Sequence, residues 1–188
     1  MIGVLASGNG TNLQALLDQG LPVVAVASND TKARALDRAA RAGLEAAAFP
    51  AVEFDSRERR DAEMAGWLVE RDVELVVLAG YMQLLTPAFL DRFEGRILNV
   101  HPSLLPSFPG AHAVEDALAH GVKVTGATVH FVDEGIDTGP IVLQEAVPVE
   151  PGDTVETLHA RIQQVEHRLL PHAVRLLLAG ELAPPVSA

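Results

Sequence analysis

Five short apolar or β-branched runs, Ile2–Ala6, Pro22–Ser28, Glu45–Phe49, Val73–Ala79 and Arg96–Val100, alternate with stretches of helical spacing. Nothing else in the chain limits its fold as strongly. Consecutive strands separated by helices cannot pair as hairpins, so they line up in parallel. Their near-continuous hydrophobicity predicts a sheet covered on both faces. The intervening helices fall at Thr11–Asp18, Lys32–Ala42, Ser56–Arg71 and Pro87–Phe93, the last opened by a proline suited to a first helical turn. With 48% hydrophobic residues, the chain of 188 residues has the means to bury one core.

Past Val100 the rhythm changes. His101 to Gly110 carries three prolines and neither helical nor strand periodicity, which predicts a long, stiff, ordered loop. A helix at Ala113–His120 follows. Two strands, Thr125–Val132 and Pro140–Val149, are joined by so short a segment that they should be antiparallel neighbours. Val155, Leu158, Ile162, Val165, Leu169, Ala173 and Leu176 then recur at three and four, an amphipathic helix that Pro171 should kink. The tail Ala183–Ala188 is expected to fray. The fold class is therefore α/β: a doubly wound, mostly parallel Rossmann-like half with an antiparallel C-terminal extension and a long C-terminal helix. We read residues 1–188 as a single domain, about 1–100 forming a phosphate- or nucleotide-binding half and about 101–188 a catalytic half.

Fourteen Lys and Arg stand against twenty-five Asp and Glu, a net charge of −11, which opposes binding to nucleic acid or an anionic membrane. The absence of cysteine excludes disulfides, thiolate metal sites and a cysteine nucleophile. No apolar run approaches the roughly 20 residues of a membrane helix, and Ile2–Ala6 is too short for a signal sequence, so a cytoplasmic protein is expected. The seven histidines form no i, i+4 pair, and no metal is expected.

Three places carry chemistry. Ser7-Gly8-Asn9-Gly10-Thr11-Asn12 lies where the first strand passes into the first helix; glycines permit close backbone approach, Thr11 or Asn12 can cap, and free N–H groups favour a phosphate. Leu13 stands where a dinucleotide fingerprint wants a third small residue, and no Walker lysine follows, so NAD and ATP are disfavoured. The alternative is a tight turn needing positive φ. Asn99 and His101 lie two apart at the end of a strand, so an amide donor and an imidazole point the same way, suited to oxyanion stabilisation and proton transfer. The alternative is a pair that satisfies the backbone of the proline-rich loop. Asp137, in a Gly-flanked turn, would orient His101 if brought near it, or would simply bond its own turn. His112 could reach a ligand; Glu166 and His167 would by default be solvated helix positions.

Ser7-Gly8-Asn9-Gly10-Thr11-Asn12, Ala79-Gly80-Tyr81-Met82, Leu98-Asn99-Val100-His101-Pro102-Ser103-Leu104-Leu105-Pro106 and Asp133-Glu134-Gly135-Ile136-Asp137-Thr138-Gly139-Pro140 together resemble the phosphoribosylglycinamide formyltransferase family over nearly the whole chain. The element Asn99-x-His101-x-Ser103-Leu104-Leu105-Pro106 and the later Asp137 also occur in methionyl-tRNA formyltransferases and formyltetrahydrofolate hydrolases; the opening element selects the family. The resemblance implies transfer of a formyl group from 10-formyltetrahydrofolate to glycinamide ribonucleotide, with small-molecule substrates, no nucleic acid or membrane partner, and a monomer or homodimer. Carried over by position, Asn99, His101 and Asp137 form the catalytic set. Gly10, Thr11, Asn12, His112, Gln163 and Glu166 fall to the phosphate and ribose. Arg57, Tyr81, Met82, Gln83, Leu84, Val132, Asp133, Glu134 and Ile136 fall to the folate. Family members often carry Arg where this chain has Gln83, so a side-chain anion contact is not carried over there, while backbone contacts to the pterin are. A tRNA-directed member would carry a further basic domain and a hydrolase a further N-terminal one, neither of which is expected here. A binding module without turnover is the remaining alternative.

Overall fold

A computed structural model describes residues 1–182; the expectation for the tail, Ala183–Ala188, lies outside the described residues. Seven strands follow the order β3-β2-β1-β4-β5-β6-β7. By contact density the chain divides into Met1–Leu98 and Asn99–Ala188.

In Met1–Leu98, β1 (Ile2–Leu5), β2 (Val23–Ser28), β3 (Glu45–Ala48) and β4 (Leu75–Leu78) alternate with α1 (Thr11–Asp18), α2 (Arg34–Arg41) and α3 (Arg57–Val69). The pairs β1/β2, β1/β4 and β2/β3 are parallel. Both central strands, β1 and β4, are buried along their whole length, as unbroken apolar runs require when neither face meets water. Gly3 permits the close packing of β1: a Cβ there would stand 2.9 Å from Leu68 and Val73. Beneath this lies a polar pair. Arg60 and Asp61 are 1% and 0% exposed; the Arg60 guanidinium donates to Asp61 Oδ1 at 2.9 and 2.7 Å, and Asp61 Oδ2 accepts the Thr86 N–H at 2.8 Å. The helix expected over Pro87–Phe93 is a single α turn, α4 (Pro87–Leu90), tightening into a 3₁₀ turn. Phe89 and Phe93 anchor it, with ring centroids 5.3 Å apart.

β5 (Ile97–His101) straddles the boundary. In Asn99–Ala188, α5 (Ala113–His120) precedes the antiparallel pair β6 (Val124–Phe131) and β7 (Ile141–Pro148), whose register shifts between Val129 and His130. Gly126 is obligatory there, since a Cβ would fall 2.2 Å from the Glu145 carbonyl. α6 (Val155–Leu178) starts with a capping box of Thr154 and Thr157 and contains Pro171, which is buried within the helix. Asp153 accepts from Arg161 at 2.8 and 3.0 Å, which holds its carboxyl well below the usual range.

Candidate active site

Asn99 and His101 stand on one side of β5, as the strand period demands. His101 is 4% exposed, and its Nε2 lies 2.8 Å from the Phe108 carbonyl. A carbonyl only accepts, so Nε2 carries hydrogen. Nδ1 then faces Asp137 Oδ2 at 3.3 Å and donates to it when protonated. The other Asp137 oxygen stands 3.4 Å from Asn99 Nδ2 and 3.5 Å from His130 Nε2. His130 lies on β6, where the register shift re-aims the strand. Its Nδ1 bonds the Phe131 carbonyl at 2.8 Å and so carries hydrogen; Nε2 accepts from Asn99 Nδ2 at 3.1 Å in the neutral ring and donates to Asp137 Oδ1 at 3.5 Å in the charged one. An amide, a carboxylate and two imidazoles thus form one closed network.

Burial pushes the Asp137 carboxyl up, but the His130 hydrogen bond, the Gly110 N–H at 2.7 Å and the charges of His101 and His130 outweigh it and hold the group below its ordinary value. At neutral pH it is an anion. Its backbone sits at φ 55, a left-handed conformation that costs a non-glycine residue about 1 kcal/mol or more. Turn chemistry alone does not exploit that strain; the inward aim of the carboxylate does.

The loop from His101 to Gly110 has the fixed shape its prolines predict. Thr128 Oγ1 donates to the Ser103 carbonyl at 2.6 Å and accepts the Leu105 N–H at 3.1 Å, while Gln144 Nε2 bonds the Leu105 carbonyl at 2.8 Å. The Leu105–Pro106 peptide is cis. His101 therefore satisfies the loop backbone through Nε2 and meets Asp137 through Nδ1.

Other predicted positions separate more sharply. Gly10 is the N-cap of α1 at φ 67, and a Cβ there would lie 2.8 Å from Ala35. The cap carries no side-chain hydrogen bond. Thr11 and Asn12 are thus not caps as expected but the first helical residues, and the positive end of the helix is presented by backbone. α2 braces this loop: Ala35 N–H donates to the Gly8 carbonyl at 3.1 Å and Arg38 Nε to that of Asn9 at 2.8 Å. Arg57 Nη2 donates to the Leu84 carbonyl at 2.8 Å, whereas Met82 and Leu84 project outward, 66% and 55% exposed, and Gln83 is exposed beside them. Tyr81 faces the core instead, its hydroxyl at Met64, and burial raises it to about 12.

Val132 is half-buried, and Asp133, Glu134 and Ile136 lie exposed in a turn closed by Asp133 Oδ1, which accepts from the Gly135 N–H and the Thr138 hydroxyl. His112 is the exposed N-cap of α5. On α6 Gln163 is half-buried, and Glu166 is only 5% exposed, which corrects the default of a solvated position: the helix turns that carboxylate inward beside Val165 and Leu169 on the apolar face. His167 is half-buried, and burial lowers its pKa. Sequence reasoning missed His130, Thr128 and Gln144. Thr128 and His130, polar residues two apart in an apolar strand, carried the same signal as Asn99 and His101. Among the described residues no group of three or more His, Asp or Glu side chains is placed to hold a metal, and no helix is long and apolar enough to cross a membrane.

The formyl transferase family model matches residues 1–174. A phosphoribosylglycinamide formyltransferase of Mycobacterium tuberculosis is 50% identical over 179 residues, covering 93% of this chain and 83% of its own length. The trifunctional purine biosynthetic protein adenosine-3 of Drosophila pseudoobscura pseudoobscura is 46% identical over 96% of this chain, which spans 14% of that protein's length. The crystal structure of glycinamide ribonucleotide transformylase 1 from Symbiobacterium toebii superposes with a TM-score of 0.95 at 51% identity, covering all of this chain and 90% of that one. With matches of this extent on both sequence and fold, the chain belongs to the formyl transferase family, among its phosphoribosylglycinamide formyltransferases.

Proposed function

We propose that this formyltransferase moves the formyl group of 10-formyltetrahydrofolate to the amine of glycinamide ribonucleotide, in the cytoplasm, as a monomer or homodimer and without a metal. The observation that carries the reading is the network of Asn99, His101, Asp137 and His130, an amide donor beside an anion-paired imidazole. The amine attacks the formyl carbon and the carbonyl electron pair moves onto oxygen. Asn99 Nδ2 donates to that oxyanion, and His101 donates to it or passes its proton, with Asp137 fixing the ring and ordering a relay water. The amine proton moves to N10 as the C–N10 bond breaks, releasing tetrahydrofolate. Preorganised donors of this type are worth on the order of 10²–10³ in turnover.

The N–H groups at Gly10, Thr11 and Asn12 suit the phosphate, since a helix start favours an anion where an acidic chain has few cations to offer. His112, Gln163 and Glu166 are assigned to the ribonucleotide. Arg57, the main chain of Tyr81–Leu84, and Val132, Asp133, Glu134 and Ile136 are assigned to the folate. Assay of 10-formyltetrahydrofolate deformylation with and without glycinamide ribonucleotide tests the reading. Turnover that requires the ribonucleotide and formylates it is expected. Equal release of formate without it would instead make the chain a hydrolase, and binding of both ligands without turnover a binding module.

A further inference from the structure

Ser7, between the end of β1 and the glycines of the phosphate loop, holds three strand exits together. Its N–H donates to the Gly80 carbonyl at 3.0 Å, its hydroxyl accepts the Met82 N–H at 2.8 Å, and the same hydroxyl donates to Asn29 Oδ1 beyond β2. Gly80, at φ 76, turns the chain out of β4 into the exposed segment Met82–Leu84. That segment is tied farther along by the Arg57 bond to the Leu84 carbonyl and the Asp61 bond to the Thr86 N–H, and Ser7 ties its start to the phosphate loop.

We infer that Ser7 is a positioning residue that couples occupancy of the phosphate loop to the order of the Met82–Leu84 segment. The inference rests on the proposed assignment of that loop to the ribonucleotide phosphate and that segment to the folate. Ser7 is next to Gly8 in the chain and its hydroxyl already holds the Met82 N–H, so a phosphate that rigidifies the loop amides rigidifies that bond as well. The ordering entropy is then spent once for both ligands. Linkage requires the effect to be mutual: each ligand tightens the other by one factor.

The test is the Kd of a 5,8-dideazafolate analogue, read by isothermal titration calorimetry, with and without saturating glycinamide ribonucleotide. The intact protein should bind the analogue roughly five-fold or more tighter with the ribonucleotide present. Ser7→Ala should bring that ratio to near one while binding the ribonucleotide alone as before, and Ser7→Thr, which keeps the hydroxyl, should restore it. A merely structural loss would weaken both ligands and leave the ratio in place. A ratio that survives in Ser7→Ala, or a ratio of one in the intact protein, overturns the inference and leaves the formyltransferase reading standing. An intact protein that binds neither ligand overturns that reading and the inference with it.

Discussion

Met1–Leu98 offers main chain where Asn99–Ala188 offers side chains. In the first half the groups at the strand exits are the N–H groups at the start of α1 and the peptide groups of Met82–Leu84, and side chains such as Ser7, Arg38, Arg57 and Asp61 serve to hold that backbone. In the second half the reactive groups are Asn99, His101, His130 and Asp137 themselves, and the backbone of Phe108, Gly110 and Phe131 holds them. The contrast follows from the tasks proposed for each. A phosphate or a pterin edge is recognised by fixed dipoles that need not titrate, whereas a formyl transfer moves protons and requires groups that do.

Four changes would break or sharpen this contrast. Asp61→Ala strikes the support of the first half: it leaves the Arg60 cation buried and the Thr86 N–H unpaired, and should cost about 3–5 kcal/mol in urea unfolding at neutral pH. A loss under 1 kcal/mol would show that water reaches the pair. Asn99→Ala strikes the second half's chemistry, and turnover should drop on the order of 10²-fold or more with little change in unfolding midpoint. Near-normal turnover would move the oxyanion role to another donor.

Gly10→Ala asks whether the first half binds through backbone shape. At φ 67, with Ala35 2.8 Å from the new methyl, it should lose about 1–3 kcal/mol of stability and raise the KM for the ribonucleotide more than that for the folate. Equal effects on both KM values would contradict the assignment of the loop. Smallest in size is the titration of Asp137. Its folded pKa lies below the unfolded one, so its stabilisation is full above the ordinary carboxylate value near 3.8 and fades as pH falls through the depressed folded value. The stability gap between the wild type and Asp137→Asn should shrink as pH falls below 3.8. A gap that already shrinks between pH 7 and 5 would mean the carboxyl titrates higher than its partners allow.

The elements were legible because period and punctuation are local. β1 to β5 fall within the predicted runs to within a residue or two, and α5 matches its predicted span Ala113–His120. Pro87–Phe93 was less so, since it forms one α turn followed by a 3₁₀ turn in place of a continuous helix. Asn99, His101 and Asp137 were legible as a resemblance and, for the first two, as a strand-period pair. Tyr81 was legible as a position only, since neither its spacing nor its neighbours in sequence show that its hydroxyl turns toward Met64.

By itself the sequence determined the α/β alternation, the glycine turn into α1, the stiffness of the proline-rich loop and the side of β5 shared by Asn99 and His101, all of which arise within a few residues from φ preference, ring constraint or strand period. Only the tertiary structure decided that Asp137 meets two imidazoles, that Glu166 turns inward, that Arg60 and Asp61 are buried together beneath Thr86, and that Gly10 sits against Ala35. The contacts of Asp137 with His101, of Asp61 with Thr86 and of Gly10 with Ala35 are meetings of residues far apart in the chain. Their energies depend on burial and on the direction of single hydrogen bonds, which no local pattern of side chains encodes.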